Sequence, residues 1–173
     1  LSLALGVQPS EKIRSFVYSD VDEKKRLMGA GATYIAKPWS REVHLNAIEI
    51  GAPVLRHELA HVFGAEINKG WLGIPTYLGV MPRMAIVEGF AVALTEARGR
   101  LTLHQWSAAM IELKIAPPLG RILGSGGFLS VHSGQAYTLS GSFLTFLLDT
   151  YGIERLRSLY ADGDFAAAYP KEL

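Results

Sequence analysis

The sequence predicts a mainly helical α+β domain. It expects a small sheet in about the first 50 residues, packed on one motif-bearing helix, with a helical part following. Three observations carry this expectation. β-Branched and aromatic residues cluster in short runs at 12–18, 32–35 and 42–48, the pattern of brief strands. Beyond residue 51 the apolar residues recur at helical spacing, strongly so in GQAYTLSGSFLTFLLDTY, 134–151. Of the 173 residues 49% are hydrophobic and 19% are charged, which suits one sizeable core and argues against disorder.

In chain order, KIRSFVY (12–18) reads as the first strand. Asp20 or Asp22 can cap a short helix through EKKRLMG, ended by Gly29 and Gly31. ATYI (32–35) and EVHLNAI (42–48) read as two further strands, with Pro38 in the turn between them. Gly51-Ala52-Pro53 opens the next helix, since proline is tolerated in a first turn. Its apolar residues, including Val54, Leu55, Leu59 and Val62, predict that it is mostly buried. KGWLGIPTYLGVMPR (69–83) has no clean periodicity and reads as a long loop able to cover a site. Pro82 is expected to open a helix to about Ala97. Thr102 and Gln105 form a capping box for a helix to about Ile115. After a turn-rich stretch with a short apolar piece at LGRIL, the helix 134–151 is closed by Gly152. Short helices at 153–160 and 165–169 complete the chain. The start at Leu1 reads as a cut from a longer protein or a mature terminus, and the end AAAYPKEL reads as unfinished. The expectation is one catalytic domain over 1–173, with a sheet part at about 12–50 and a helical part at 51–173.

Net charge is +1 and no Lys/Arg block stands out, so nothing points to nucleic acid. No run is long enough to span a membrane. There are no cysteines, which excludes disulfides and thiolate metal sites. Any zinc must therefore be held by histidine and carboxylate.

His57-Glu58-Leu59-Ala60-His61 is a His-Glu-x-x-His motif. Four residues apart on a helix, His57 and His61 share a face and can bind one metal ion. Glu58, turned by about 100°, is placed to act on water beside that ion. A zinc site of this kind needs a third protein ligand and an open position. Glu88 is the candidate: it lies on an expected helix in IVEGFAVALTE among apolar neighbours, where an unpaired carboxylate is costly. Its alternative is an ion pair with Arg83 or Arg121. Glu96 lies two turns on but nearer the helix end, and Glu66 sits at a poor angle to His61. The longer motif that adds a third histidine fails, because Ile67 occupies that position.

HELAH followed by EGFA resembles the gluzincin metallopeptidases, closest to the aminopeptidase-N-like branch and its peptidase-MA-like relatives. The resemblance runs from about Lys12 to the end, taking in AYTLSGSFLTFLLDTYG and Gly31-Ala32-Thr33-Tyr34, placed where that branch carries its edge strand. It implies a thermolysin-like catalytic core, with Zn(2+) held by His57, His61 and Glu88. Glu58 is implied as the general base, and Tyr137 as the hydroxyl that steadies the oxyanion. The implied activity is zinc-dependent hydrolysis of peptide bonds in a peptide or protein substrate. Domains of this kind are often extracytoplasmic or membrane-associated, which here means tethering through flanking segments. The sequence departs from the family pattern twice. His61 and Glu88 are 27 residues apart, longer than the usual aminopeptidase spacing. GATY also lacks the glutamate that holds a substrate's free amine, which puts exopeptidase action in doubt. The alternative is a non-catalytic gluzincin-like module that binds zinc or peptide within a larger protein.

Other residues have plainer expectations. Tyr137 can instead be core, and His132, just before its helix, is a rival oxyanion donor. His44 is expected to be structural or exposed and His104 to sit in a first helical turn. Trp39, Trp71 and Tyr77 read as core or loop packing, the last two within the loop that can cover a site.

Overall fold

The computed structural model describes residues 1–47, 51–95 and 101–170, leaving aside the Ala52 side chain. The sheet is built from β1 (Arg14–Tyr18), β2 (Ile35–Lys37) and β3 (Glu42–Asn46), in the order β1-β3-β2. β1 runs parallel to β3 and β2 antiparallel to it, so that Phe16 and Ile35 both face His44. The central strand is buried on both faces, Val43 and Leu45 on one and His44 and Asn46 on the other. The β1–β3 crossover carries helix α2 (Val21–Met28), which Asp20 caps by accepting the Glu23 N–H at 2.8 Å. Gly29 ends it at φ 81°, a conformation glycine adopts without strain.

The edge strand corrects the expected boundary. ATYI was the expected strand, yet pairing begins only at Ile35. Side chains engage the earlier carbonyls instead: Asn46 Nδ2 donates to Gly31 O at 3.1 Å, and the buried Lys24 ammonium donates to Thr33 O. Lys24 Nζ also reaches His44 O at 3.0 Å, tying this segment to the central strand. The 42–48 strand is seen to Asn46, and its expected end at Ile48 lies outside the described residues.

The helical part begins with α3 (Ala52–Gly64), which packs on β2 and β3. The 69–83 connector contains a small antiparallel hairpin, β4 (Thr76–Tyr77) with β5 (Met81–Pro82). Pro82 is therefore in a strand, and α4 (Met84–Thr95) starts after it; the expected extension to Ala97, and Glu96, lie outside the described residues. Next come α5 (Leu103–Glu112), with its Thr102/Gln105 capping box formed, and α6 (Leu119–Leu123), the apolar LGRIL piece. The expected run of α5 to Ile115 stops early because Lys114 turns left-handed at φ 56°, and Ile115 N–H donates back to Met110 O. Helix α7 (Ser133–Tyr151), closed by Gly152 at φ 82°, is followed by α8 (Ile153–Asp162) and α9 (Phe165–Ala168). A short first helix, α1 (Ser2–Leu5), was not expected; it seats the fully buried Leu5 in the main core and packs against α8.

The core joins α4, α7 and α8 through Phe90, Leu144, Leu147, Leu156 and Tyr160, all fully buried. Close approach of α4 and α7 rests on glycines. A Cβ on Gly89 would lie 2.9 Å from Ser140 O, and one on Gly141 2.5 Å from the Val92 side chain. No helix among the described residues is long and apolar enough to cross a membrane.

Candidate metal centre

Helix α3 presents His57 and His61 on one face, as the four-residue spacing demands. Glu88 reaches the same point from α4, which packs beside α3. Glu88 Oε2 lies 3.2 Å from His57 Nε2 and 3.5 Å from His61 Nε2, and the two ring nitrogens are 3.3 Å apart. These three donors form a group that could hold a metal ion. Tetrahedral coordination with bonds of about 2.0–2.1 Å sets neighbouring donors about 3.3 Å apart. The triangle of side chains therefore already has the size that a zinc-sized cation needs. Arg83 and Arg121, the alternative partners of Glu88, are engaged elsewhere: Arg83 lies over the Tyr77 ring and Arg121 bonds Ser130.

The electrostatics follow from burying one carboxylate between two imidazoles. Burial alone would raise the Glu88 pKa, but hydrogen bonds from both histidines outweigh it and hold it at about 2. Burial opposes charge on His61, yet the hydrogen bond and charge of Glu88 raise its pKa above the ordinary value. His61 Nδ1 is buried and finds no hydrogen-bond partner among the described residues. A metal-binding histidine ordinarily donates that second nitrogen to a carbonyl or carboxylate, and this one does not.

Glu58 lines the same cavity, of about 240 Å³, without joining the three-donor group. It is 6% exposed, and burial raises its pKa, the direction that makes a carboxylate a better base. Tyr137 on α7 also lines this cavity, with its ring centroid 6.4 Å from that of His57. Burial first, then the Glu88 carboxylate, pushes its pKa up, so its hydroxyl stays a proton donor. The rival His132 is not at the centre: its Nδ1 accepts the Gly134 N–H and caps α7.

A second cavity, of about 670 Å³, adjoins the first; Tyr34, His57, Glu58 and Tyr137 line both. Ala32, Thr33 and Tyr34, the segment that Lys24 anchors, also line it. Trp39, expected as packing, is instead half exposed and borders the metal cavity. The hydrophobic pattern hid it because a single tryptophan in a turn carries no periodicity. Of the connector expected to cover a site, Ile74 lines the metal cavity, whereas Tyr77 donates to Leu123 O at 2.5 Å and Trp71 lies elsewhere. The remaining candidates are structural. His44 bonds Tyr18 Oη at 2.8 Å and Glu42 at 3.3 Å, His104 bonds Ser142 Oγ at 2.7 Å, and Glu66 pairs with Arg41 at 3.2 Å.

Comparison with protein-family models, curated proteins and solved structures returned no match.

Proposed function

We propose that this chain is a zinc-dependent metallopeptidase with a thermolysin-like arrangement of its catalytic core. The observation that carries the reading is the donor triangle of His57, His61 and Glu88, with separations of 3.2–3.5 Å, beside a buried Glu58 that is not part of it. Two imidazoles and one carboxylate suit zinc, and this set leaves a position open for water or substrate.

Bound there, zinc would supply Lewis acidity, polarising a carbonyl and bringing the pKa of a water near neutrality. The protein's own groups do the rest. Glu58, with its raised pKa, takes the proton of the attacking water and hands it to the leaving amine. Tyr137, kept protonated, donates to the oxygen on which negative charge develops. Among the described residues no strand pairs with β2 on the side away from β3, and that side offers backbone groups to an extended substrate.

Glu58→Gln tests this reading. The zinc-loaded variant should cleave a peptide library about 10²–10⁴-fold more slowly than the parent at unchanged zinc content. A parent that binds zinc and cleaves nothing would leave a binding module. A variant as fast as the parent would exclude Glu58 as the base.

A further inference from the structure

A third pocket, of about 310 Å³, continues the cleft beyond the metal cavity. Pro38 and Trp39 line both, so the two share a wall just after β2. Two tryptophans flank the new pocket: Trp39 is 52% exposed and Trp71 71% exposed. Exposed indoles are common singly, but two around one concavity are not explained by packing. Trp71 is also held in place, its Nε1–H donating to Gly79 O at 2.8 Å. An indole fixed by its polar edge while its faces stay wet is a pre-ordered platform, with little conformational freedom left to lose on binding. The Arg41–Glu66 pair, 3.2 Å apart, lines the same pocket, and Lys69 adds a positive charge beside it. The pocket therefore offers two aromatic faces above a polar floor.

We propose that Trp39, Trp71 and the Arg41–Glu66 floor form a distal subsite for an aromatic side chain of an extended polypeptide. The occupant is a polypeptide because the pocket continues the line of β2, whose free edge offers main-chain hydrogen bonds. Of the eight residues from Ala32 to Trp39 only Ile35–Lys37 are strand, and Pro38–Ser40 turn as a 3-10 helix. The wall is therefore shorter than the roughly 25 Å of full strand rise, and a chain of at most about seven or eight residues reaches from one outer pocket to the other. The metal cavity lies between them. A ligand gripped on both sides presents the interior of its chain to the metal centre, which makes the action endoproteolytic. This inference rests on the peptidase reading for its catalytic consequence, but the subsite itself is a matter of binding.

The test uses zinc-loaded Glu58→Gln protein, with and without Trp71→Ala, and alanine/serine peptides long enough to span the cleft. One phenylalanine is walked through the peptide positions, and binding is read by calorimetry. One register of phenylalanine should bind tightest, and Trp71→Ala should weaken that peptide about tenfold while leaving the all-alanine/serine peptide and the zinc content unchanged. Equal losses for both peptides, no loss, or no peptide binding would overturn the subsite. Binding of a soluble oligosaccharide at Trp71 in place of the peptide would overturn it too. The two readings fail separately. Phenylalanine-dependent binding with an inactive parent protein removes only the peptidase. Cleavage whose sequence preference ignores Trp71→Ala removes only the subsite.

Discussion

Tyr137 and His61 carry the sharpest expectations at the scale of single residues. Tyr137→Phe deletes one hydroxyl from the wall shared by the cavities of about 670 and 240 Å³. If that hydroxyl donates to developing charge, peptide turnover should fall about 10²–10³-fold while zinc content and peptide affinity stay level. Steady-state kinetics with a parallel binding titration would show it. The pH dependence follows from the two coupled ligands. In the metal-free protein His61 holds its proton to higher pH than its ordinary 6.5, and its contribution to stability is present below that value and lost as pH rises through the raised pKa. Glu88 is the reverse: with its pKa lowered to about 2, its contribution is present above the ordinary 4.5 and lost as pH falls toward 2. Zinc must displace the His61 proton, so zinc affinity should climb as pH rises past 6.5 and level off once His61 is neutral. Calorimetric titrations across that window, with proton release measured in two buffers, check the sign. The grouping of these side chains was partly legible in the sequence. The His57–His61 spacing fixes a shared helix face, and Glu88 stands out as a carboxylate among apolar residues. Trp39 and Lys24 did not stand out: a single tryptophan in a turn reads as packing although the fold leaves it half exposed, and a lysine within EKKR reads as surface although the fold buries it.

Among the secondary-structure elements, the centre depends on how closely α4 lies to its neighbours, since α4 brings Glu88 and α7 brings Tyr137. Gly141 is the contact point: a methyl group there would lie 2.5 Å from Val92 Cγ1 and 3.1 Å from its Cβ. Gly141→Ala should therefore destabilise the protein by about 1–3 kcal/mol despite alanine's better helix propensity, as overpacking outweighs it. Urea denaturation of the metal-free proteins measures this. The long helices were legible because their apolar periodicity is unambiguous, and α7 lies within one residue of its expected start. The edges were less so. β2 begins three residues late because Asn46 and Lys24 claim the carbonyls of Gly31 and Thr33, a tertiary contact that no local pattern announces. The β4–β5 hairpin was missed because two-residue strands are too short to show alternation.

Among the described residues the molecule is a small sheet and a helical layer whose junction holds the His57–His61–Glu88 group, with two adjoining cavities that share Tyr34, His57, Glu58 and Tyr137. The large separation of His61 from Glu88 is filled by the β4–β5 hairpin and its flanks, which leave the donors together. All of the proposed chemistry depends on those three side chains acting as one site. The direct measurement is zinc per chain after dialysis, for the parent, for Glu88→Ala, and for Glu66→Ala, which alters a carboxylate outside the centre. One zinc per chain is expected in the parent and in Glu66→Ala, and a large loss in Glu88→Ala. Full zinc content in Glu88→Ala, or none in the parent, would contradict the shared site.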